Sequence, residues 1–380
     1  MPRAFWLGVS VLALMGGAVS YAAPQTRAPA PAARAPLPVE AFAELPEVES
    51  PDISPDGKRI AAKIAVQGKQ LFAVMTPGTE GPPKLLNPGK ADLNWWRWVN
   101  DEWLIVGIGQ EMPIHGDTWY ISRAIGYHVT TGKVIQIAPR SAAQNGDDII
   151  WVARDGSARV MLSYQTSIYS NETGFWPQVD EVDLATGKRR VVTLSKSGVF
   201  NWYTDATGLV RMGIGYSEDG RSRRVLHRDR PNAVFRTLDR ARTRDDRLTV
   251  PALFLSDKSK ALVIDDDESG YSALYELDLT TLERGKQLFA SKGYDIGGIV
   301  RDPTGFGYLG ISVKEDRPLV RWTDPDMMAM QTAVSGLVKG AQVQIASLNR
   351  DRSRALLAVG GADAPGGYFM YHRPENSMDL

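Results

Sequence analysis

The 380-residue chain is 43% hydrophobic and 23% charged, with 44 basic residues against 44 acidic ones and no cysteine. That apolar content excludes a disordered or collagen-like chain, and the charge balance argues against a general nucleic-acid binder. The absence of cysteine excludes a disulfide framework, a thiolate metal site, a cysteine nucleophile and a lipid-modified N-terminal cysteine.

In chain order, the first element is an address. Met1-Pro2-Arg3 supplies one positive charge, Ala4 to Val19 is an apolar run, and Ser20-Tyr21-Ala22 offers small residues at the two positions a signal peptidase reads. Residues 1–22 therefore read as a secretory signal peptide. An uncleaved N-terminal anchor is the alternative. Residues 23–38, rich in Ala and Pro, read as an extended linker. The expected product is exported, periplasmic or secreted, and not membrane-bound once the signal is cleaved.

From residue 39 to residue 380 one motif recurs seven times. Short apolar strands flank a turn carrying an aspartate, and these aspartates are Asp56, Asp101, Asp155, Asp205, Asp257, Asp302 and Asp351, spaced 45 to 54 residues apart. Aspartate suits the turn because its side chain bonds the backbone two residues on, and glycine follows because it accepts positive φ. Strands such as Trp95-Trp96-Arg97-Trp98 precede the turn, and strands such as Trp103-Leu104-Ile105-Val106 follow it. A third strand comes next, then a second turn, seen as Thr130-Thr131-Gly132-Lys133 and as Ala185-Thr186-Gly187-Lys188. Four strands per unit, seven units: the pattern predicts an all-β, seven-bladed β-propeller of four-stranded antiparallel blades. Asp324-Pro325-Asp326, an N-cap followed by proline at N1, predicts a short helical insertion near residues 325–337, between blades.

Several residues invite a functional reading. Among the four histidines, His128, His227 and His372 fall at one repeat position, so a ring spreads them apart and they read as structural; His115 stands alone. Asp266 and Asp267, in the acidic run 265–268, read as a solvated turn of the fifth blade that could meet a peptide amine if it faced a tunnel. Arg221, Arg223 and Arg224 open an arginine-rich stretch reaching Arg247, read as the solvated side of the fourth blade or as a docking face. The tryptophans at 95, 96 and 98 could stack a ligand, but in such a ring aromatics fill space between blades. Asn171-Glu172-Thr173 matches a glycosylation sequon. No metal or other cofactor is indicated.

Ser54-Pro55-Asp56-Gly57-Lys58-Arg59, Val182-Asp183-Leu184-Ala185-Thr186-Gly187-Lys188, the segment Gly208 to Tyr216 and the segment Pro365 to Tyr371 together resemble the N-terminal propeller of the prolyl oligopeptidase family, over roughly residues 38–380. The resemblance is to its secreted bacterial dipeptidyl- and acylaminoacyl-peptidase-like members. It implies a propeller capping an α/β-hydrolase domain, with a tunnel that excludes folded proteins while short peptides reach a Ser-Asp-His triad. That hydrolase would follow the propeller, whereas the sequence ends at Ser377-Met378-Asp379-Leu380, in what the repeat makes the last outer strand. The sequence has no G-x-S-x-G nucleophile elbow; Gly215-Tyr216-Ser217-Glu218-Asp219 lacks the second glycine, and so no catalytic residue is assigned, Ser217 included. Two expectations follow. One is the substrate-gating propeller of an exported serine peptidase whose hydrolase domain acts in cis or in trans, inactive by itself. The other is a stand-alone periplasmic propeller that binds or scaffolds.

Overall fold

The computed structural model describes residues 45–379, apart from 80, 217–220, 240–248, 339 and 362–363. The predicted signal peptide, the linker, Ser217 and part of the arginine-rich stretch lie outside the described residues. What is described is a ring of seven successive antiparallel sheets, the blades of a β-propeller, built in chain order. The first strands of blades 1 to 7 are Val48–Ile53, Asp92–Trp98, Asp148–Val152, Asn201–Thr204, Pro251–Phe254, Ile296–Arg301 and Gln342–Leu348.

These first strands form the hub, because they touch one another from blade to blade. Trp98 Nε1 donates to the Asp52 carbonyl at 3.2 Å, Thr204 Oγ1 to the Ile150 carbonyl at 2.8 Å, and Arg301 Nη2 to the Ala252 carbonyl at 2.8 Å. Fourth strands such as Lys84–Leu86 are short and largely exposed, as the outer rim of a propeller requires. The seven predicted aspartates all fall in the turn between first and second strands. Six of them accept a backbone N–H two or three residues on, for example Ser157 N to Asp155 at 3.0 Å and Ser259 N to Asp257 at 2.9 Å. Asp101 is the exception, since Asn100 takes the backbone bonds of Glu102 and Trp103 in its place.

Stability comes from seven apolar clusters, one for each interface between neighbouring blades. Between blades 2 and 3, Ile105, Val160, Leu162 and Leu184 are fully buried. The seam between blades 7 and 1 has the smallest cluster, Ile53, Leu356 and Met370 with Ile60 against it. Polar contacts supplement it. Ile53 N donates to Ser347 Oγ at 3.0 Å, and that hydroxyl donates to Asp52 at 2.6 Å; Arg354 Nη1 reaches the Gly57 carbonyl at 2.9 Å. The two ends of the ring meet through side chains, without either sheet borrowing a strand from the other.

Two blades depart from the four-stranded expectation. Blade 2 gains a short parallel strand, Asn145–Gly146, beside its third strand. Blade 6 has only three strands, and the predicted helix, α1 (Pro325–Leu337), follows directly where a fourth would be. Asp324 caps it by accepting Met327 N at 3.0 Å, with proline in the first turn. Met327, Met330 and Val334 are then buried with Leu309 of blade 6 and with Leu357 and Tyr371 of blade 7. The helix is thus part of the interblade core rather than an ornament on a connection. Proline at 325 has no N–H to lose at the first helical position, and its fixed φ suits the start of a helix.

Candidate axial channel

An exposed charged side chain at or just past the end of a first strand stands at the hub rather than at the outer rim. Arg97, near the end of the blade 2 strand, Arg154, two residues past the blade 3 strand, and Arg301, closing the blade 6 strand, are all of this kind. They come together. Arg154 Nη1 donates to the Pro303 carbonyl at 3.1 Å, a contact from blade 3 to blade 6 that can only be made across the ring. The surrounding protein lowers the proton affinity of all three guanidinium groups; beyond that, Arg97 feels the charge of Arg154, and Arg301 feels both others. Their nearest acidic neighbours are Asp52 for Arg97 and Asp302 for Arg154. Asp52 is itself pushed upward by burial, opposed by its bond from Ser347 and by Arg97.

The opposite end of the hub carries carboxylates. Asp148 opens the first strand of blade 3 with its side chain partly open to solvent; the protein packed around it, helped by the charge of Asp147 and opposed by a bond from Ser163, pushes it up to about 6. Asp147 is held by Ser122 Oγ and by Trp95 Nε1, the latter at 3.1 Å. Arg97, Arg154 and Arg301 thus stand at the ends of first strands, with Asp52 and Asp302 among them, and Asp148 stands at the start of one. A raised folded-state value means that the fold binds this proton more tightly than the unfolded chain, whose ordinary value is 3.8. The stability the proton supplies is complete below about pH 4 and gone above about pH 6. Asp148→Asn is therefore expected to raise Tm at pH 8 by about 1–2 °C, allowing for solvent screening, and to leave it unchanged near pH 3.5. Thermal melts at the two pH values test this, and an equal shift at both would refute it.

Beside the channel a cavity of about 400 Å³ opens where blades 7, 1 and 2 meet, lined among others by Glu49, Ser50, Asp52, Trp95, Trp96 and Tyr368. Ser50 stands at φ 50° ahead of Pro51, where the register with the second strand shifts. The tryptophans act as the sequence suggested, between blades: Trp98 is buried against blade 1, and Trp96 packs edge-on to Phe72 at 5.5 Å. Arg97, between them in sequence, is the one that reaches the axis.

The residues singled out from sequence lie elsewhere. Asp266 ends the second strand of blade 5 and Asp267 begins its turn, accepting Ser269 N at 2.8 Å and Tyr271 N at 3.2 Å; Arg284 Nη1 binds the Asp266 carbonyl at 2.7 Å. Arg221, Arg223 and Arg224 sit at the start of the third strand of blade 4. Arg223 pairs with Asp239 at 2.6 Å and lines a second cavity, of about 320 Å³, against Leu282 of blade 5; Arg224 bonds the Ser197 carbonyl. His128 does the turn work of an aspartate, its Nδ1 accepting Thr130 N and Thr131 N at 3.3 Å, as Asp278 accepts Thr280 N and Thr281 N. His372 meets Asp379, and His115 meets Tyr169 at 3.2 Å.

The axial arginines were missed, although a signal for two of them exists: Arg154-Asp155 and Arg301-Asp302 place arginine just before the repeat aspartate. No family model matches the chain, and no curated protein matches it. Solved structures are similar at low identity. One describes two prolyl endopeptidases, with 12% identity, a TM-score of 0.49, and coverage of 88% of this chain and 48% of that one. A puromycin-hydrolysing peptidase of Mycobacterium tuberculosis gives 12%, 0.47, 87% and 52%, and TolB of Acinetobacter baumannii gives 14%, 0.34, 62% and 53%. The chain spans about half the length of each of these solved structures.

Proposed function

We propose that this chain is the substrate-admitting propeller of an exported peptidase of the prolyl oligopeptidase type, passing short peptides along its axis to an α/β-hydrolase domain supplied in cis or in trans. The observation that carries this reading is the hub itself. Exposed arginines stand at the ends of three first strands, and an exposed aspartate, Asp148, stands at the start of one. A passage of that kind selects by width and charge before any bond is broken, because a folded protein does not enter and an extended chain does. The sequence supplies no nucleophile elbow, so hydrolysis belongs to the partner domain.

Isothermal titration of the purified propeller with unstructured peptides of increasing length tests the reading. Peptides of about four to eight residues are expected to bind and small folded proteins not to. Absence of binding at every length would overturn it and favour a scaffold. An immunoblot of the source cells adds the second half: the reading expects either a band heavier by a hydrolase domain of roughly 250 residues, or co-purification with a separate hydrolase.

A further inference from the structure

We propose that Arg97, Arg154 and Arg301 form a subsite for the terminal carboxylate of a bound peptide, so that the peptide lies in the channel with its amino end toward Asp148; this rests on the peptide-admitting reading above. Arg154 of blade 3 reaches the carbonyl of Pro303, two residues past Arg301 of blade 6, and Arg97 of blade 2 lies close enough to feel the charge of Arg154. Their arrangement is built. Arg154 crosses to the turn of blade 6, where a β-carbon on Gly305 (φ +76°) would stand 2.5 Å from its Nε, so glycine there makes room for the arginine. Arg301 is anchored to the Ala252 carbonyl at 2.8 Å.

Most of their donors are unspent. A guanidinium has five N–H groups in a fixed fork. Among the described residues Arg154 and Arg301 each make one hydrogen bond, to a backbone carbonyl, and Arg97 makes none. The acids nearby are engaged otherwise. Asp302 accepts Thr304 Oγ1 and Gly305 N, both at 2.7 Å, within its own turn, and Asp52 accepts Ser347 Oγ at 2.6 Å. Three exposed cations with idle, forked donors are complementary to an oxygen anion, and a carboxylate suits the fork bidentately.

The remaining question is which anion, and Asp148, at the other end of the blade 3 hub strand from Arg154, answers it. From Asp148 to Arg154 is six residues, and from Asp92 at the start of the neighbouring strand to Arg97 is five. At about 3.3 Å per residue, and with a bulge in each strand, the acidic and basic ends are no more than about 17–20 Å apart. A zwitterionic peptide of about five or six residues, extended, carries its ammonium and carboxylate at that separation. Inorganic phosphate matches only one end.

The test is calorimetric, on the whole chain, with a hexapeptide of neutral side chains as free acid, as C-terminal amide and as N-acetylated acid. The amide is expected to bind about tenfold more weakly than the acid, as loss of one charge-assisted contact gives. Arg97→Gln and Arg301→Gln are each expected to weaken the free acid about tenfold and leave the amide unchanged, with circular dichroism confirming the fold. If a variant does not fold, the acid–amide comparison on the unaltered chain decides. Equal binding of acid and amide overturns the subsite and leaves the peptide-admitting function standing. No binding of any form overturns both. Binding of inorganic phosphate without any peptide binding would reduce the triad to a simple anion pocket and overturn the peptide assignment.

Discussion

Replacing Arg211 with methionine is expected to cost the fold about 3–5 kcal/mol, the range for breaking a buried ion pair from one side. Arg211 lies on the second strand of blade 4 and is only 1% exposed. Its guanidinium stands 3.6 Å from Asp205, which is also buried, donates to the carbonyls of Arg228 and Lys258, meets His227 Nε2 at 3.2 Å, and lies over the Phe254 ring at 5.3 Å. One side chain thus ties the repeat turn of blade 4 to the neighbouring edge of blade 5. Methionine fills comparable space but leaves the Asp205 charge and two carbonyls without the cation that balances them. Urea unfolding of wild type and variant checks the size of the loss. Arg211→Lys is expected to recover little, since a single ammonium replaces a planar fork that serves several acceptors at once. A loss under about 1 kcal/mol in the methionine variant would show that the network is dispensable.

The repeat architecture was legible in the sequence because a propeller blade is local. Each four-stranded meander is contiguous, so its turn aspartate, its flanking apolar strands and its second turn fall at fixed offsets along the chain. Even the exception has a local cause: Asn100 performs at the second repeat what aspartate performs at the others. The helix was legible for the same reason, through Asp324 and Pro325. Its place in the core was not. That depends on Met327, Met330 and Val334 finding blade 7, whose strands come later in the chain.

The candidate site was hidden by the same logic. Arg97, Arg154 and Arg301 belong to three repeats, and Arg154 reaches a partner 149 residues away only once the ring is closed. Charge density in sequence drew attention to 221–247 and 265–268, read there first as solvated surface. There the described charges are largely absorbed locally, by pairs such as Arg223 with Asp239 and Arg284 with Asp265. A run of charge along one strand is a surface property. Charges drawn from separate repeats, Arg97 at one repeat position and Arg154 and Arg301 at another, come near one another only in the closed ring.

His227 is expected to weaken this ring in acid, and the sign can be worked out from its surroundings. It ends the third strand of blade 4, is only 3% exposed, and has no partner for Nδ1 among the described residues. Burial, then the charges of Arg211 and Arg236, push it down to about 4 from an ordinary 6.5. The folded chain therefore keeps the ring neutral while the unfolded chain takes up a proton. The stability this contributes is fully present above about pH 6.5 and is lost as pH falls toward 4, by about 3 kcal/mol in all. His227→Gln removes the titration while keeping an acceptor for Arg211. Between pH 7.5 and about 4 the wild type is expected to lose about 3 kcal/mol more than the variant in urea unfolding, with the curves converging toward the acid end. Parallel curves would mean that His227 is protonated in the fold. In that case the Arg211 network would need a compensating anion that Asp205, already shared with the turn at Thr207 and Leu209, is poorly placed to provide.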